Sequence, residues 1–270
     1  MPNKTVLITG SSSGIGRATA LRFQQTGWSV AATMRSPEKE TELGKLAGIT
    51  LIRLDVSSED SIEAAINETI KRFGGIDVVV NNAGYGLVGP FEASTPEQVR
   101  RQFETNVFGL MNVVRAVLPH MRERRAGVII NVASMGGRIT FPLYSLYHGT
   151  KWAVEGFSEG LQFELEQFGI RVKIIEPGAI KTDFYDRSMD VMKKAGLVAY
   201  DSFVNRAMPN MQRAGENGPP PSIVSEVIFK AATDGSNRMR YQAGTNGVLF
   251  LRRLLPDGLF MSVIKRAVLK

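Results

Sequence analysis

What most constrains this chain is a series of short apolar runs, each followed by a turn and a helical stretch. The runs are TVLIT at 5–9, WSVAAT at 28–33, 49–54, IDVVV at 76–80, 127–132, RVKII at 171–175 and a short one at 240–243. Most are apolar throughout rather than alternating, as in strands buried on both faces of a parallel sheet. Six strand–helix units in sequence imply an α/β fold with a doubly wound parallel sheet of about seven strands and helices on both faces.

The first run leads into GSSSGIGRATALRFQQTG. Gly10, Gly14 and Gly16 bracket a tight turn that includes Ser12, Ser13 and Ile15, and a helix follows as far as Gly27. A glycine turn between strand and helix lets a pyrophosphate approach bare backbone, at a helix end that offers free N–H groups and a positive dipole. This is the Rossmann arrangement, although the spacing G-x-x-x-G-x-G differs from the common G-x-G-x-x-G. The alternative is a plain turn packed tightly against the sheet.

At the end of the second strand, where a carboxylate would hold the ribose 2′-hydroxyl of NAD, stand Met34, Arg35 and Ser36. A guanidinium suits a bidentate grip on a 2′-phosphate, so the expected cofactor is NADP(H) in preference to NAD(H). The bland reading of Arg35 is a solvated loop residue. Glu38 and Glu40 are expected on the next helix. Asp55, followed by Val56, either meets the adenine amino group or caps the next helix. After the fourth strand, Asn81-Asn82-Ala83-Gly84 offers two amides and small residues against which an adenine ring can lie; alternatively it is turn chemistry alone.

Tyr147 and Lys151 lie four apart at the start of a helical stretch, hence on one face. The ammonium favours phenolate, so the phenol is expected to become more acidic and suited to acid–base work at a carbonyl or alcohol. Ser134, at the end of the fifth run, offers a hydroxyl to the same substrate oxygen. Thr95 and Pro96 open a long helix in which Asn106 sits among apolar neighbours and is expected to distort the helix and hold a water. Pro177-Gly178 turns the chain at the sheet's ligand-binding edge, ahead of Ile180 and Thr182. Residues 183–221, rich in Met and aromatic side chains (Phe184, Tyr185, Met189, Met211 among them) and without clear periodicity, read as a substrate lid or as an excursion packed on the core.

The 270 residues suit one large domain, taken as 1–246 with the lid inside it, plus an extension at 247–270. The sequence has no cysteine and two histidines, which excludes thiol chemistry and argues against a metal site. The N-terminal apolar run is too short for a signal peptide, and no apolar stretch is long enough to span a bilayer, so a cytoplasmic location is expected. Of the net charge of +7, nearly all falls after residue 235, with seven basic residues and one acid. The body is therefore close to neutral, and a nucleic-acid partner is not indicated. Asp257 is positioned to cap a helix bearing Leu259, Phe260, Val263, Ile264 and Val268. That helix either docks on its own domain or on a second subunit, or forms a basic amphipathic element in peripheral contact with anionic membranes.

Taken in order, Thr9-Gly10-Ser11-Ser12-Ser13-Gly14-Ile15-Gly16, Asn81-Asn82-Ala83-Gly84, Asn106, Ser134, Tyr147 with Lys151, and Pro177-Gly178 with Thr182 resemble the motifs of the short-chain dehydrogenase/reductase family over roughly residues 4–243. The resemblance implies Tyr147 as proton donor, and Lys151 as the residue that binds the nicotinamide ribose and lowers the Tyr147 pKa. It implies Ser134 as the group polarising the carbonyl, and Asn106 as holder of a relay water. Thr182 and the backbone near Ile180 would contact the nicotinamide carboxamide. It further implies a homo-dimer or homo-tetramer acting on a small carbonyl or alcohol substrate, here an apolar one of steroid, retinoid or fatty-carbonyl type. His148 matches no catalytic position of the family and reads as helix surface or pocket wall. The competing function is a non-catalytic NADP(H)-binding sensor or scaffold.

Overall fold

The computed structural model describes residues 3–182, 184 and 188–270. Its centre is a seven-stranded parallel sheet of β1 (Thr5–Thr9), β2 (Ser29–Met34), β3 (Ile49–Arg53), β4 (Val78–Asn81), β6 (Gly127–Val132), β7 (Ile170–Pro177) and β9 (Arg240–Ala243). The order across it is β3-β2-β1-β4-β6-β7-β9. Strand order therefore reverses beside β1, which pairs with β2 on one side and β4 on the other. A crevice opens at such a reversal, outside the carboxyl ends of the strands.

The strands are apolar throughout because both faces are covered. Leu7, Val79, Ile129 and Val172 point to one side, where they meet α2 (Glu59–Phe73), α4 (Gly109–Arg124) and α5 (Ser145–Leu165). Val6, Ile8, Val80 and Ile130 point to the other, against α1 (Gly14–Gln24) and α7 (Ser222–Thr233). Each such side chain, fully buried, contributes about 1.5–3 kcal/mol of transfer free energy. The doubly wound sheet of the sequence reading is thus the observed one.

Three expected elements differ. No α-helix joins β2 to β3: two single tight turns, Pro37–Lys39 and Leu43–Lys45, take its place. Glu38 lies in the first turn, and Glu40 lies beyond it, where its Oε1 accepts the backbone N–H groups of Glu42 and Leu43. That local bonding competes with helix formation. The long helix after Thr95 is capped as expected, with Thr95 and Gln98 bonding each other's backbone N–H and Pro96 in the first turn. It is split, however, into α3 (Pro96–Phe103) and α4 by a wider π-type turn at Glu104–Phe108 that contains Asn106. Finally, the described part of 183–221 has regular elements although its sequence shows no clear period. It holds β8 (Met189–Val191), which pairs with β5 (Gly86–Val88) in a second small sheet, and α6 (Asp201–Glu216). Tyr185 lies outside the described residues.

The C-terminal stretch forms α8 (Val248–Leu254) and α9 (Asp257–Leu269). Asp257 is the first residue of α9 rather than its cap, a position taken by Pro256. The apolar stripe divides: Phe260, Ile264 and Val268 are buried in a cluster with Ala207 of α6, whereas Leu259 and Val263 stand exposed. Among the described residues no helix is long and apolar enough to cross a membrane.

Candidate active site

The glycine turn is held open by its neighbours. Gly10 and Gly14 have φ of +69° and +54°, in the left-handed region that favours glycine. Gly16 needs to be glycine for another reason: a Cβ there would stand 2.2 Å from the Gly10 carbonyl oxygen and 2.6 Å from Asn82 Nδ2. Asn82 donates from Nδ2 to the carbonyls of Thr9 and Gly10, at 3.0 and 3.1 Å, so an amide from the β4 end fixes the turn after β1. Ser13, at the N-cap of α1, makes no side-chain bond to the first helical turn, and that turn carries no acid. The helix end thus keeps its donors and positive dipole facing the crevice.

A cavity of about 1030 Å³ runs from this turn across the carboxyl ends of the strands. Its walls bring together Gly10, Ser12, Ser13, Gly14 and Ile15 with Arg35, Asp55 and Val56. Asn82, Ala83 and Gly84 line it too, as do Ser134, Tyr147 and Lys151, and Pro177, Gly178, Ile180 and Thr182. Two expected residues stand outside it. Gly16 packs behind the turn, as above. Asn106 is 2 % exposed and is held by Tyr85 and Thr150: its Oδ1 accepts Tyr85 N–H, and its Nδ2 donates to Tyr85 O and Thr150 Oγ1.

Ser134 caps a short turn, its Oγ accepting the Gly136 N–H at 3.0 Å. The hydroxyl proton remains available to a substrate oxygen. One helical turn separates Tyr147 from Lys151, and Lys151 Nζ lies 5.7 Å from the centre of the Tyr147 ring. Nζ also donates to the Val132 carbonyl at 2.8 Å, which anchors the cation to the β6 end. Burial pulls the Lys151 pKa down to about 8, against an opposing pull from the Glu155 carboxylate. α5 is fixed to the sheet by a buried chain: Asn81 donates to Asn131, and Asn131 to Ser158 of α5.

Beyond β2, Arg35 is exposed at the cavity wall and bears on Asp55. Asp55 accepts from Ser57 N–H and Oγ, while Ser58 caps α2. The two nearby acids are occupied elsewhere: Glu40 pairs with Arg17 at 2.6 Å and Glu38 with Arg53 at 3.5 Å.

Of the two sequence readings of His148 the pocket wall holds, while the buried carboxylates and the β8 contact described below escaped sequence reasoning. His148 is a buried pocket wall, not helix surface; its Nδ1 accepts Phe141 N–H and its ring stacks on Tyr144 at 5.5 Å. Burial pushes its pKa down to about 4, so the ring is neutral. Glu155, one turn past Lys151, and Glu176, at the end of β7, are both buried carboxylates. Arg240 Nε lies 3.0 Å from Glu155 and 3.7 Å from Glu176, and Arg138 lies 3.2 Å from Glu176. One oxygen of each carboxylate lacks a hydrogen-bond partner. Burial and then the Glu176 charge push Glu155 up to about 7, despite the two arginines. The spacing 147, 151, 155 was legible; the burial was not. Along the cavity wall, Arg101 of α3 pairs with Asp190 of β8 and reaches Tyr85 Oη at 3.2 Å, pinning β8. No run or motif marks that contact, which joins residues far apart in sequence.

Residues 4–192 match the family model described as short chain dehydrogenase. The chain is 35% identical over 269 residues to a 3-ketodihydrosphingosine reductase of Bacteroides thetaiotaomicron, covering 98% of each chain. It is similar to the solved structure of a short-chain dehydrogenase from Streptomyces avermitilis, with 34% identity and a TM-score of 0.84 over 98% of this chain and 95% of that one. A further likeness, at 30% identity and a TM-score of 0.73, is to ElxO solved with NADP bound, over 91% of this chain and 99% of that one. With the glycine turn, Ser134, Tyr147 and Lys151 gathered on one cavity, the protein belongs to the short-chain dehydrogenase/reductase family of oxidoreductases, acting on alcohol and carbonyl groups.

Proposed function

We propose that this chain is an NADP(H)-dependent oxidoreductase that interconverts a ketone and a secondary alcohol on an apolar substrate. One observation carries the reading: the Lys151 ammonium, anchored by Val132, stands beside the Tyr147 ring in the cavity that the glycine turn opens. The residues present fit the cofactor. The Gly10–Gly14 turn would take its pyrophosphate, and Arg35 its 2′-phosphate, since Glu38 and Glu40 are bound to other cations. When bound there, reduced nicotinamide would supply the hydride for the carbonyl carbon.

The remaining work falls to the chain's own groups. Ser134 Oγ donates to the substrate oxygen and orients it. Tyr147 Oη gives that oxygen its proton, and Lys151 stabilises the phenolate left behind; in the alcohol-oxidising direction Tyr147 takes the proton back. Phe141, Phe184, Met189 and Met211 line the substrate end of the cavity and pack in one cluster with Tyr147, which favours an apolar substrate and keeps water from the reacting oxygen. The keto group in the name of the Bacteroides relative agrees with the direction of reduction.

The cofactor claim is tested by kcat/KM with NADPH and with NADH in wild type and Arg35→Asp. Wild type is expected to prefer NADPH by at least ~10-fold, one charge-assisted contact being worth roughly 1.5–3 kcal/mol, and the variant to lose that preference. An NADH preference in wild type would refute the role given to Arg35.

A further inference from the structure

The docking of α9 on α6 accounts for one face of the C-terminal helices and leaves another unexplained. Phe260, Ile264 and Val268, spaced four apart, fill the cluster shared with Ala207 and Met211 of α6, and Asn210 Nδ2 donates to the Val268 carbonyl at 2.9 Å. Arg252 ties the two terminal helices together, pairing with Asp257 at 2.6 Å and lying over the Phe260 ring at 5.2 Å. What this leaves outside is apolar. Phe250 and Leu254 of α8 are 67% and 61% exposed, and Leu259, Met261 and Val263 of α9 are 59%, 46% and 41% exposed. Five of the eleven large apolar side chains that stand exposed among the described residues therefore fall between 250 and 263. A concentration of this kind marks an interaction surface, whereas scattered single residues do not.

Cations are interleaved with these side chains. On α9 the spacing 4, 3 sets Leu259, Val263 and Arg266 along one flank, with Lys270 at the C-cap just beyond them and Met261 and Lys265 four apart on the other flank. On α8, Arg253 adjoins Leu254. None of Arg253, Lys265, Arg266 and Lys270 pairs with a carboxylate of the described residues, and the one acid of the stretch, Asp257, is taken by Arg252. A surface with protruding apolar side chains and uncompensated positive charge is complementary to acidic headgroups over hydrocarbon. A second copy of this chain meets it poorly, because a two-fold contact would set the four cations against themselves.

We propose that the exposed side of α8 and α9, turned away from the buried Phe260–Ile264–Val268 stripe and bounded by both flanks, docks on an anionic lipid bilayer. The apolar side chains enter the boundary between headgroup and acyl chain, and the four cations lie over acidic headgroups. The surface also has a bearing on the site. α6 lies between α9 and the cavity: Ala207 packs towards Phe260 and Ile264, and Met211 lines the cavity wall. Docking brings the apolar end of the cavity within one helix of the lipid, where an apolar substrate is concentrated. The docking claim itself does not depend on which cofactor or ketone is used.

The test is co-sedimentation of the full-length protein with vesicles of phosphatidylcholine alone and of phosphatidylcholine with phosphatidylglycerol, at low and high salt. The variants are Leu259→Ser/Val263→Ser and Arg266→Glu/Lys270→Glu, all exposed positions whose folding is checked by circular dichroism. Wild type is expected to bind the anionic vesicles at least ~10-fold more tightly than the neutral ones, with binding weakened by salt. Each double variant should lose a further ~10-fold or more. Wild-type protein that stays in the supernatant with anionic vesicles, or binding unchanged by both variants, overturns the proposal. So does a dimer, seen by analytical ultracentrifugation without lipid, that Leu259→Ser/Val263→Ser dissociates while vesicle binding persists.

Discussion

At the scale of single residues, the electrostatics around Lys151 work in opposite directions. Burial favours the neutral amine and the Glu155 carboxylate favours the ammonium, leaving the pKa at about 8. Glu155 itself is held up to about 7 by burial and by Glu176. Below pH 7 Glu155 carries its proton and resembles glutamine; above it, its negative charge helps Lys151 stay charged. Glu155→Gln removes that help, so Lys151 loses its proton at lower pH and ceases to stabilise the Tyr147 phenolate. The alkaline limb of the kcat profile should therefore move to lower pH. Turnover should be within ~2-fold of wild type at pH 6 and roughly 3- to 10-fold lower at pH 8. A uniform loss at every pH would instead mark Glu155 as structural only. That Tyr147, Lys151 and Ser134 meet on one cavity was legible from residue type and spacing. The partners of Glu155 were not, because Glu176, Arg138 and Arg240 come from three other segments and only the fold brings them together.

At the scale of elements, the glycine turn shows how one position couples packing to binding. A Cβ on residue 16 meets a backbone carbonyl and an amide that already holds the turn, and neither can withdraw without moving β1 or β4. Gly16→Ala should lower stability by about 1–3 kcal/mol. It should also weaken NADPH binding by ~10-fold or more, although residue 16 does not line the cavity. Chemical denaturation and a fluorescence titration of NADPH check the two effects; NADPH affinity within ~2-fold of wild type would separate the turn's packing from its binding role. Strands were readable because burial on both faces leaves a continuous apolar signature. The missing helix between β2 and β3 was not, because Glu40 diverts two backbone N–H groups into a local turn. Nor was α6, whose exposed and buried residues mix polar and Met side chains around Pro209 and blur the helical period. The π-type turn at Asn106 was foreseen as a distortion, since a buried amide among apolar neighbours has to find its partners in the backbone.

At the scale of the molecule, the cavity exists only because distant segments converge on the carboxyl ends of the strands. β1 supplies the turn, β2 the guanidinium, β4 the amides, and β6 with α5 the hydroxyls and the cation. β8 lines it from outside the main sheet, held to β5 by backbone pairing and to α3 by Arg101 and Asp190. The first set was legible as a series of motifs in order; the β5–β8 pair was not, since both strands are too short to show a period. The central claim is that this convergence serves proton transfer by Tyr147 under the influence of Lys151. Its most direct test is Tyr147→Phe, measured both for turnover of a ketone with NADPH and for NADPH affinity in the absence of ketone. The account predicts turnover lower by ~10²–10⁴ with NADPH affinity nearly unchanged. Turnover close to wild type in the phenylalanine variant would contradict it.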